Sequence, residues 1–272
     1  MTSGVLFMER LQPSISETRI PLSRSDLADM IRLVRALFRL SRLPEYRESV
    51  WPLVPEIARF NPGHDAVMMG YDFHLSDDGP QLIEVNNNAG GALLAYLAYQ
   101  PDNNLAHGSL PKRLRDQLVA SFAEEMRRYT GRNNTLPRRI AIIDEDPEKQ
   151  FLYPEMEVFR ELFTDWCSCC STIVDPGELE ASAKGVFIKG MPVDLIYNRH
   201  CDFYLETEVM AGIRAAYRNG TVCLTPNPFT YGLLGDKRRL ACWSNAERLK
   251  ESGLDERSCE TILRLIPESH VM

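Results

Sequence analysis

No stretch of this 272-residue chain is apolar for long enough to cross a membrane, since a spanning helix needs ~20 consecutive apolar residues. The start, MTSGVLFMERLQPSIS, carries the acidic Glu9 where a secretion signal would have a basic region and then an apolar core, so no such signal is read there. Neither common phosphate-binding loop is present. G-x-x-x-x-G-K-[ST] is absent, and so is G-x-G-x-x-G after the strand candidate 139–144, which disfavours a P-loop or nicotinamide-dependent enzyme. That candidate instead runs into Asp144-Glu145-Asp146, where a pyrophosphate would be repelled. Basic residues are in the minority, 31 against 38 acidic for a net charge of -7. That balance argues against a nucleic-acid or anionic-membrane partner. The seven cysteines are odd in number and irregularly spaced, which fits free thiols in a reducing cytoplasm. Cys167, Cys169 and Cys170 form a C-x-C-C run, but no second ligand pair at zinc spacing follows, so buried or half-buried thiols are the better reading. No internal repeat or low-complexity tract is visible.

What is present is an ordinary globular composition, 44% apolar and 25% charged, in a chain long enough for one large domain or two smaller ones. Residues 1–22 read as an irregular lead. Ser25 is the expected cap of a helix whose apolar stripe is Leu27, Met30, Ile31, Val34, Leu37 and Phe38, with Arg32, Arg35, Arg39 and Arg42 between them. Those arginines could serve an anionic ligand, but a solvated face on an amphipathic helix is the better reading, since nothing in the sequence converges on them. Pro52, Pro55 and Pro62 restrict 44–65 to short helical pieces. Helices are expected over 92–99, ended by the polar segment 101–104, and over 111–129 with the stripe Leu114, Leu118, Phe122 and Met126. After the turn-rich 131–137, short apolar runs at 139–144, 171–174, 185–188, 193–197 and 221–224 alternate with helices at 154–163 and 206–218. Strand and helix in alternation predict an α/β, Rossmann-like three-layer domain with a mainly parallel sheet.

Two stretches carry candidate chemistry. In the first, 66–91, strand runs 66–75 and 81–86 flank the turn signal Ser76-Asp77-Asp78-Gly79-Pro80, predicting a β-hairpin. Strict alternation puts Leu82, Glu84 and Asn86 on one face and Ile83 and Val85 on the other. A carboxylate and an amide oxygen side by side suit Mg²⁺, which is completed by phosphate oxygens and water. Gly90 and Gly91 then let the backbone pass close to whatever sits there. An ordinary solvent-facing strand end accounts for the same spacing. In the second stretch, Val193 to His200, a strand delivers Arg199 to the carboxyl edge of the sheet, where a guanidinium can hold a carboxylate in a bidentate grip. A surface arginine is the bland alternative. His200 reads as an acid or base, or as a polar rim residue.

Taken in order, these segments resemble the circularly permuted ATP-grasp ligases, in particular eukaryotic-type glutathione synthetase. The family's E-I-N strand and double glycine are matched by Glu84-Val85-Asn86 and Gly90-Gly91, and its V-D-x-x-Y-x-R strand by Val193, Asp194, Tyr197 and Arg199. A Pro- and Gly-rich segment and a Lys-bearing helix start follow, here 226–237 with Lys237. The stretch from Asp202 through Tyr204 to Leu205 matches a D-F-Y-L motif of a closer bacterial group.

The resemblance implies an ATP-grasp-like α+β portion over 1–136, a Rossmann-like substrate-binding domain over 137–232, and at 233–272 the start of an ATP-binding half that lies beyond this sequence. It implies an ATP- and Mg²⁺-dependent carboxylate–amine ligase working through an acyl phosphate on small-molecule carboxylate and amine substrates, with a homodimer as the candidate assembly. Glu84 and Asn86 would be metal ligands; Asn86, Gly90, Gly91 and Lys237 would meet the nucleotide; Asp72, Arg199 and Tyr204 would meet the acceptor, with Arg199 its carboxylate anchor. The family's R-S-D motif is replaced by Gly70-Tyr71-Asp72, which departs from a glutathione-type acceptor. A non-catalytic peptide- or amino-acid-binding module is the alternative expectation, and a purely structural role a third.

Overall fold

A computed structural model describes residues 11, 15, 16, 18, 20–88, 90–99, 110–168 and 170–271. Most of the lead 1–22 and the segment 101–104 therefore lie outside the described residues. In chain order the elements are α1 (Arg24–Leu40), α2 (Pro44–Val50), β1 (Gly70–Ser76), β2 (Gly79–Asn86), α3 (Ala92–Tyr99), α4 (Lys112–Thr130), β3 (Arg139–Ile143), α5 (Tyr153–Cys167), β4 (Cys170–Val174), β5 (Glu180–Ser182), β6 (Gly185–Ile188), β7 (Met191–Pro192), β8 (Leu195–Asn198), α6 (Ala211–Arg218), β9 (Cys223–Thr225), α7 (Arg239–Trp243), α8 (Ala246–Glu251) and α9 (Glu256–Leu265). The architecture is mixed α/β. Among the described residues no helix is long and apolar enough to cross a membrane.

The chain divides into two interleaved units. The first takes Met1–Thr18, Asn61–Met68 and Asn88–Asn227. Its parallel sheet has the order β4-β3-β8-β9, with Ile140 opposite both Ser171 and Leu195, and Leu195 opposite Cys223. The runs at 139–143 and 195–198 are buried throughout apart from Arg139, as expected of strands covered on both faces. Phe122 of α4 and Tyr197 of β8 meet each other and Phe159 and Phe163 of α5 edge to face, with centroids 4.6 Å apart for Phe122–Phe163 and 5.1 Å for Phe122–Tyr197. The run 185–188 is a strand, but it pairs antiparallel with β5 and β7 in a separate three-stranded sheet. Apolar length alone does not say which sheet a strand joins. Gly212 lets α6 lie directly on this small sheet, since a Cβ there would stand 2.4 Å from the Ala181 carbonyl oxygen.

The second unit takes Arg19–Phe60, Met69–Asn87 and Pro228–Met272. Its core includes Leu33, Leu37, Leu40, Val50, Leu82, Trp243, Ile262 and Leu265. Two expectations about α1 are corrected. Ser23, not Ser25, caps it, accepting the Asp26 N–H at 3.0 Å. The buried stripe is Leu33, Ala36, Leu37 and Leu40, while Leu27, Ile31 and Phe38 are exposed. The helix has two overlapping apolar stripes, and helical period fixes the helix without choosing which one faces inward. Among the thiols, Cys167 is half-buried but Cys170 and Cys201 are exposed, so burial does not extend across that cluster; Cys169 lies outside the described residues.

Candidate functional site

In the first unit the chain leaves β3 for β4 on one side and later for β8 on the other. The carboxyl ends of β3 and β8 flank that divergence, where open parallel sheets leave a crevice for ligands. Arg199 stands one residue past β8 and is tied to β3, its N–H donating to the Ile143 carbonyl at 2.9 Å. Its side chain is buried, not a surface group. Nη1 donates to Glu155 Oε2 at 3.0 Å and to Tyr197 Oη at 3.2 Å. Burial works against the charge, and Tyr197 and Glu155 more than offset it, leaving the guanidinium pKa above its ordinary value. Nε is buried without a hydrogen-bond partner among the described residues.

Glu155, which the sequence reading did not single out, organises this corner. It sits fully buried in the first turn of α5. Besides Arg199 it accepts the N–H of Gly91 at 2.9 Å and of Leu93 at 2.8 Å. One carboxylate thus satisfies orphan donors at the start of α3 and neutralises the arginine. A glutamate just after Pro154 at a helix start is commonplace, so no sequence signal distinguished it. Gly91 adopts φ +85, the left-handed turn expected of the double glycine, and Gly90 gives the Arg199 head its room. Asn88 Nδ2 closes the loop onto the Arg199 carbonyl at 3.2 Å.

Beside it, Asp144 is buried, and desolvation raises its pKa against the opposing pull of the Glu145 N–H, Arg199 and His200. His200 is buried, not on a rim, and its Nδ1 accepts the Asp202 N–H at 2.9 Å. The Asp202 carboxylate accepts from Glu206 and Thr207 N–H groups at 2.9 and 2.8 Å, folding the 202–207 loop on itself with Tyr204 half-buried in its turn.

In the second unit the hairpin forms over Gly70–Ser76 and Gly79–Asn86 with Asp77-Asp78 as its turn, starting later than the expected run 66–75, whose first four residues are not strand. Asp72 lies directly opposite Glu84, and Gly70 opposite Asn86. The register then slips: Phe73 pairs with Leu82, leaving Ile83 as an extra residue. This bulge corrects the strict alternation, since Leu82 is buried with Val85 while Ile83 is 45% exposed. Glu84 and Asn86 still share a face, now joined by Asp72. The Asn86 amide nitrogen donates to Asp72 Oδ2 at 3.0 Å and to Glu84 Oε1 at 3.3 Å, so its nitrogen faces the carboxylates. Lys237 Nζ reaches Glu84 Oε2 at 3.3 Å. Asp72, Glu84, Asn86 and Lys237 are therefore brought together in one unit, and Gly90, Gly91, Arg199 and Tyr204 belong to the other.

Among the described residues no three His, Cys, Asp or Glu side chains gather into a metal site. The hairpin offers a pair, Asp72 and Glu84, partly open to solvent. A pair suits Mg²⁺, which takes one or two carboxylates and completes its shell with water and phosphate. It does not suit a closed zinc site.

No family model matches the chain, and no curated protein matches it. Among solved structures, a glutathione synthetase-like effector from Globodera pallida, in apo form, superposes with a TM-score of 0.62 at 10% identity. The match covers 97% of this chain and 69% of that one. At that identity the likeness is one of fold.

Proposed function

We propose that this chain carries the metal-binding edge and the acceptor domain of an ATP-dependent carboxylate–amine ligase of the ATP-grasp type, the hairpin being the metal-binding edge and the parallel-sheet unit a Rossmann-like acceptor domain. The observation that supports this best is the Asp72–Glu84 pair, held by Asn86 and met by Lys237. Asp72 and Glu84 would hold Mg²⁺, which supplies charge neutralisation of the nucleotide phosphates. Lys237 would turn from Glu84 to a phosphate oxygen. In the other unit Arg199 is a positioning residue, since its carboxylate partner is Glu155 and the pair orders the Gly90-Gly91 loop.

That internal pairing favours one second reading, a non-catalytic module that keeps the fold and binds a peptide or amino-acid ligand. Titration calorimetry separates the two. The ligase reading expects heat of binding for ATP with Mg²⁺, lost on chelation and weakened by about tenfold or more in Glu84→Gln, the scale of a charged contact. Mg²⁺-independent nucleotide binding unchanged in that variant would remove the metal-edge assignment, and peptide binding without any nucleotide binding would favour the module.

A further inference from the structure

Helices α1 and α9 and strand β1 line a cleft of about 740 Å³ in the second unit. Its walls are of two kinds. Val34, Phe38 and Tyr71 give apolar and aromatic surface, while Arg32, Arg35, Arg39 and Arg257 give four guanidiniums against the single carboxylate of Asp255. In a chain of net charge -7 this is a local reversal of sign.

The arginines are not equivalent. Arg39 Nη2 donates to Ser258 Oγ at 2.7 Å and its Nη1 lies 3.9 Å from Asp255. Arg32 donates to Asp29, outside the lining. Asp255 is engaged at the N-terminus of α9, accepting from the Ser258 N–H at 3.0 Å and its hydroxyl at 2.7 Å. The guanidiniums of Arg35 and Arg257 have no hydrogen bond or ion pair among the described residues, and both side chains are exposed. Tyr71 is half-buried, its hydroxyl directed at Met69 Sδ at 4.0 Å, and burial pushes its phenol up to about 12. The sequence alone showed arginines along one helix; the packing of α9 supplies the fourth, and β1 supplies the ring.

We infer that this cleft binds a small organic phosphate: a flat apolar or aromatic group seated on Val34, Phe38 and Tyr71, with its phosphate held by the open guanidiniums of Arg35 and Arg257. Two forks without a partner among the described residues match the charge of about -2 on a phosphate monoester at neutral pH, and Arg is the side chain suited to bidentate phosphate recognition. A cleft of this volume falls in the range of roughly 300–1,000 Å³ typical of small-molecule sites. The inference shares no residue with the hairpin site and does not depend on the ligase reading.

The test is calorimetry on the full chain with three probes: 4-methylumbelliferyl phosphate, its parent alcohol 4-methylumbelliferone, and inorganic phosphate. The ester is expected to bind about tenfold tighter than either part, because only it engages both walls. The double variant Arg35→Ala, Arg257→Ala should lose that affinity by about tenfold or more, with its circular dichroism unchanged because both side chains are exposed. Arg35→Lys with Arg257→Lys keeps the charge but not the fork, and should bind between wild type and the alanine pair. Equal binding of inorganic phosphate, an adventitious ion only, overturns the inference. So does equal binding of the parent alcohol, no binding of the ester, or full affinity in the alanine pair.

Discussion

A side-chain carbon at position 90 would stand 2.5 Å from an Nη atom of Arg199 and 2.8 Å from Leu152 Cδ1. The guanidinium head is a flexible end in principle. Here it is buried and ion-paired to Glu155, so it has nowhere inexpensive to go. Gly90→Ala is therefore expected to destabilise the chain by about 1–3 kcal/mol, the usual cost of overpacking a filled site. Urea unfolding followed by circular dichroism measures it; an unchanged midpoint would show that the arginine moves aside freely.

The cost of losing Glu155 should be larger. Glu155→Ala would leave the Arg199 charge buried without its carboxylate and would orphan the Gly91 and Leu93 N–H groups. Removing one member of a buried ion pair costs about 3–5 kcal/mol. Glu155→Gln keeps an acceptor oxygen and the side-chain volume, so its loss should be smaller than that of the alanine variant in the same unfolding measurement. Equal losses in the two variants would mean that the charge opposite Arg199, and not packing, is what Glu155 contributes.

Much of the first unit was legible because its strands are short, apolar and buried. The run 139–144 appears as Arg139–Ile143, and of the helical stripe Leu114, Leu118, Phe122 and Met126 the last three are buried while Leu114 is half-buried. Val158, Phe159, Leu162 and Phe163 likewise face the core. What the sequence could not carry is pairing between distant segments. Glu155 acquires its meaning only from Arg199, 44 positions away, and from two N–H groups more than 60 positions before it. The Ile83 bulge is equally invisible, since an alternating pattern records the faces of a strand and not a slip against its partner. In the cleft, Arg257 joins Arg35 through the packing of two helices over two hundred residues apart in sequence.

Asp29 gives a prediction with a defined pH sign. It accepts from Arg264 at 2.8 Å and from Arg32, and these contacts, Arg264 first, hold its pKa below the ordinary carboxylate value. A depressed folded pKa contributes stability that is present above the unfolded value and lost as pH falls through the folded one. Asp29→Asn should thus be less stable than wild type at neutral pH. The gap should close as pH drops below the ordinary aspartate value of 3.8. Paired thermal melts across that range check it; a gap that persists at low pH would assign the effect to hydrogen bonding and not to charge.

Lys237 separates stability from binding. Its ammonium lies 3.3 Å from Glu84, with side chains 68% and 38% exposed. Exposed pairs of this kind contribute about 0–1 kcal/mol, so Lys237→Met should leave the unfolding midpoint nearly unchanged. If Lys237 meets a phosphate as proposed, the same variant should weaken Mg²⁺-dependent ATP binding by about tenfold or more. Unaltered calorimetric affinity would return Lys237 to the role of a solvated partner of Glu84.

Tyr46 fastens α2 to the segments that follow residue 228. Its hydroxyl donates to the Leu233 carbonyl at 2.7 Å and accepts from Trp243 Nε1 at 3.0 Å, all buried. Burial drives its pKa well above the ordinary phenol value, so the group acts as a neutral bridge. Tyr46→Phe keeps the ring and strands both partners where water does not reach. Buried groups left without partners cost about 1–3 kcal/mol each, and relaxation around the missing oxygen recovers part of that. The variant should therefore lose about 2 kcal/mol in urea unfolding, with the slope of the transition unchanged. Trp243 provides a local readout: its indole fluorescence should shift in the folded variant, because the hydrogen bond to Tyr46 Oη is the contact removed. Loss of stability without that shift would place the strain at Leu233, and an unchanged midpoint would mean that the bridge is dispensable to the packing of α2.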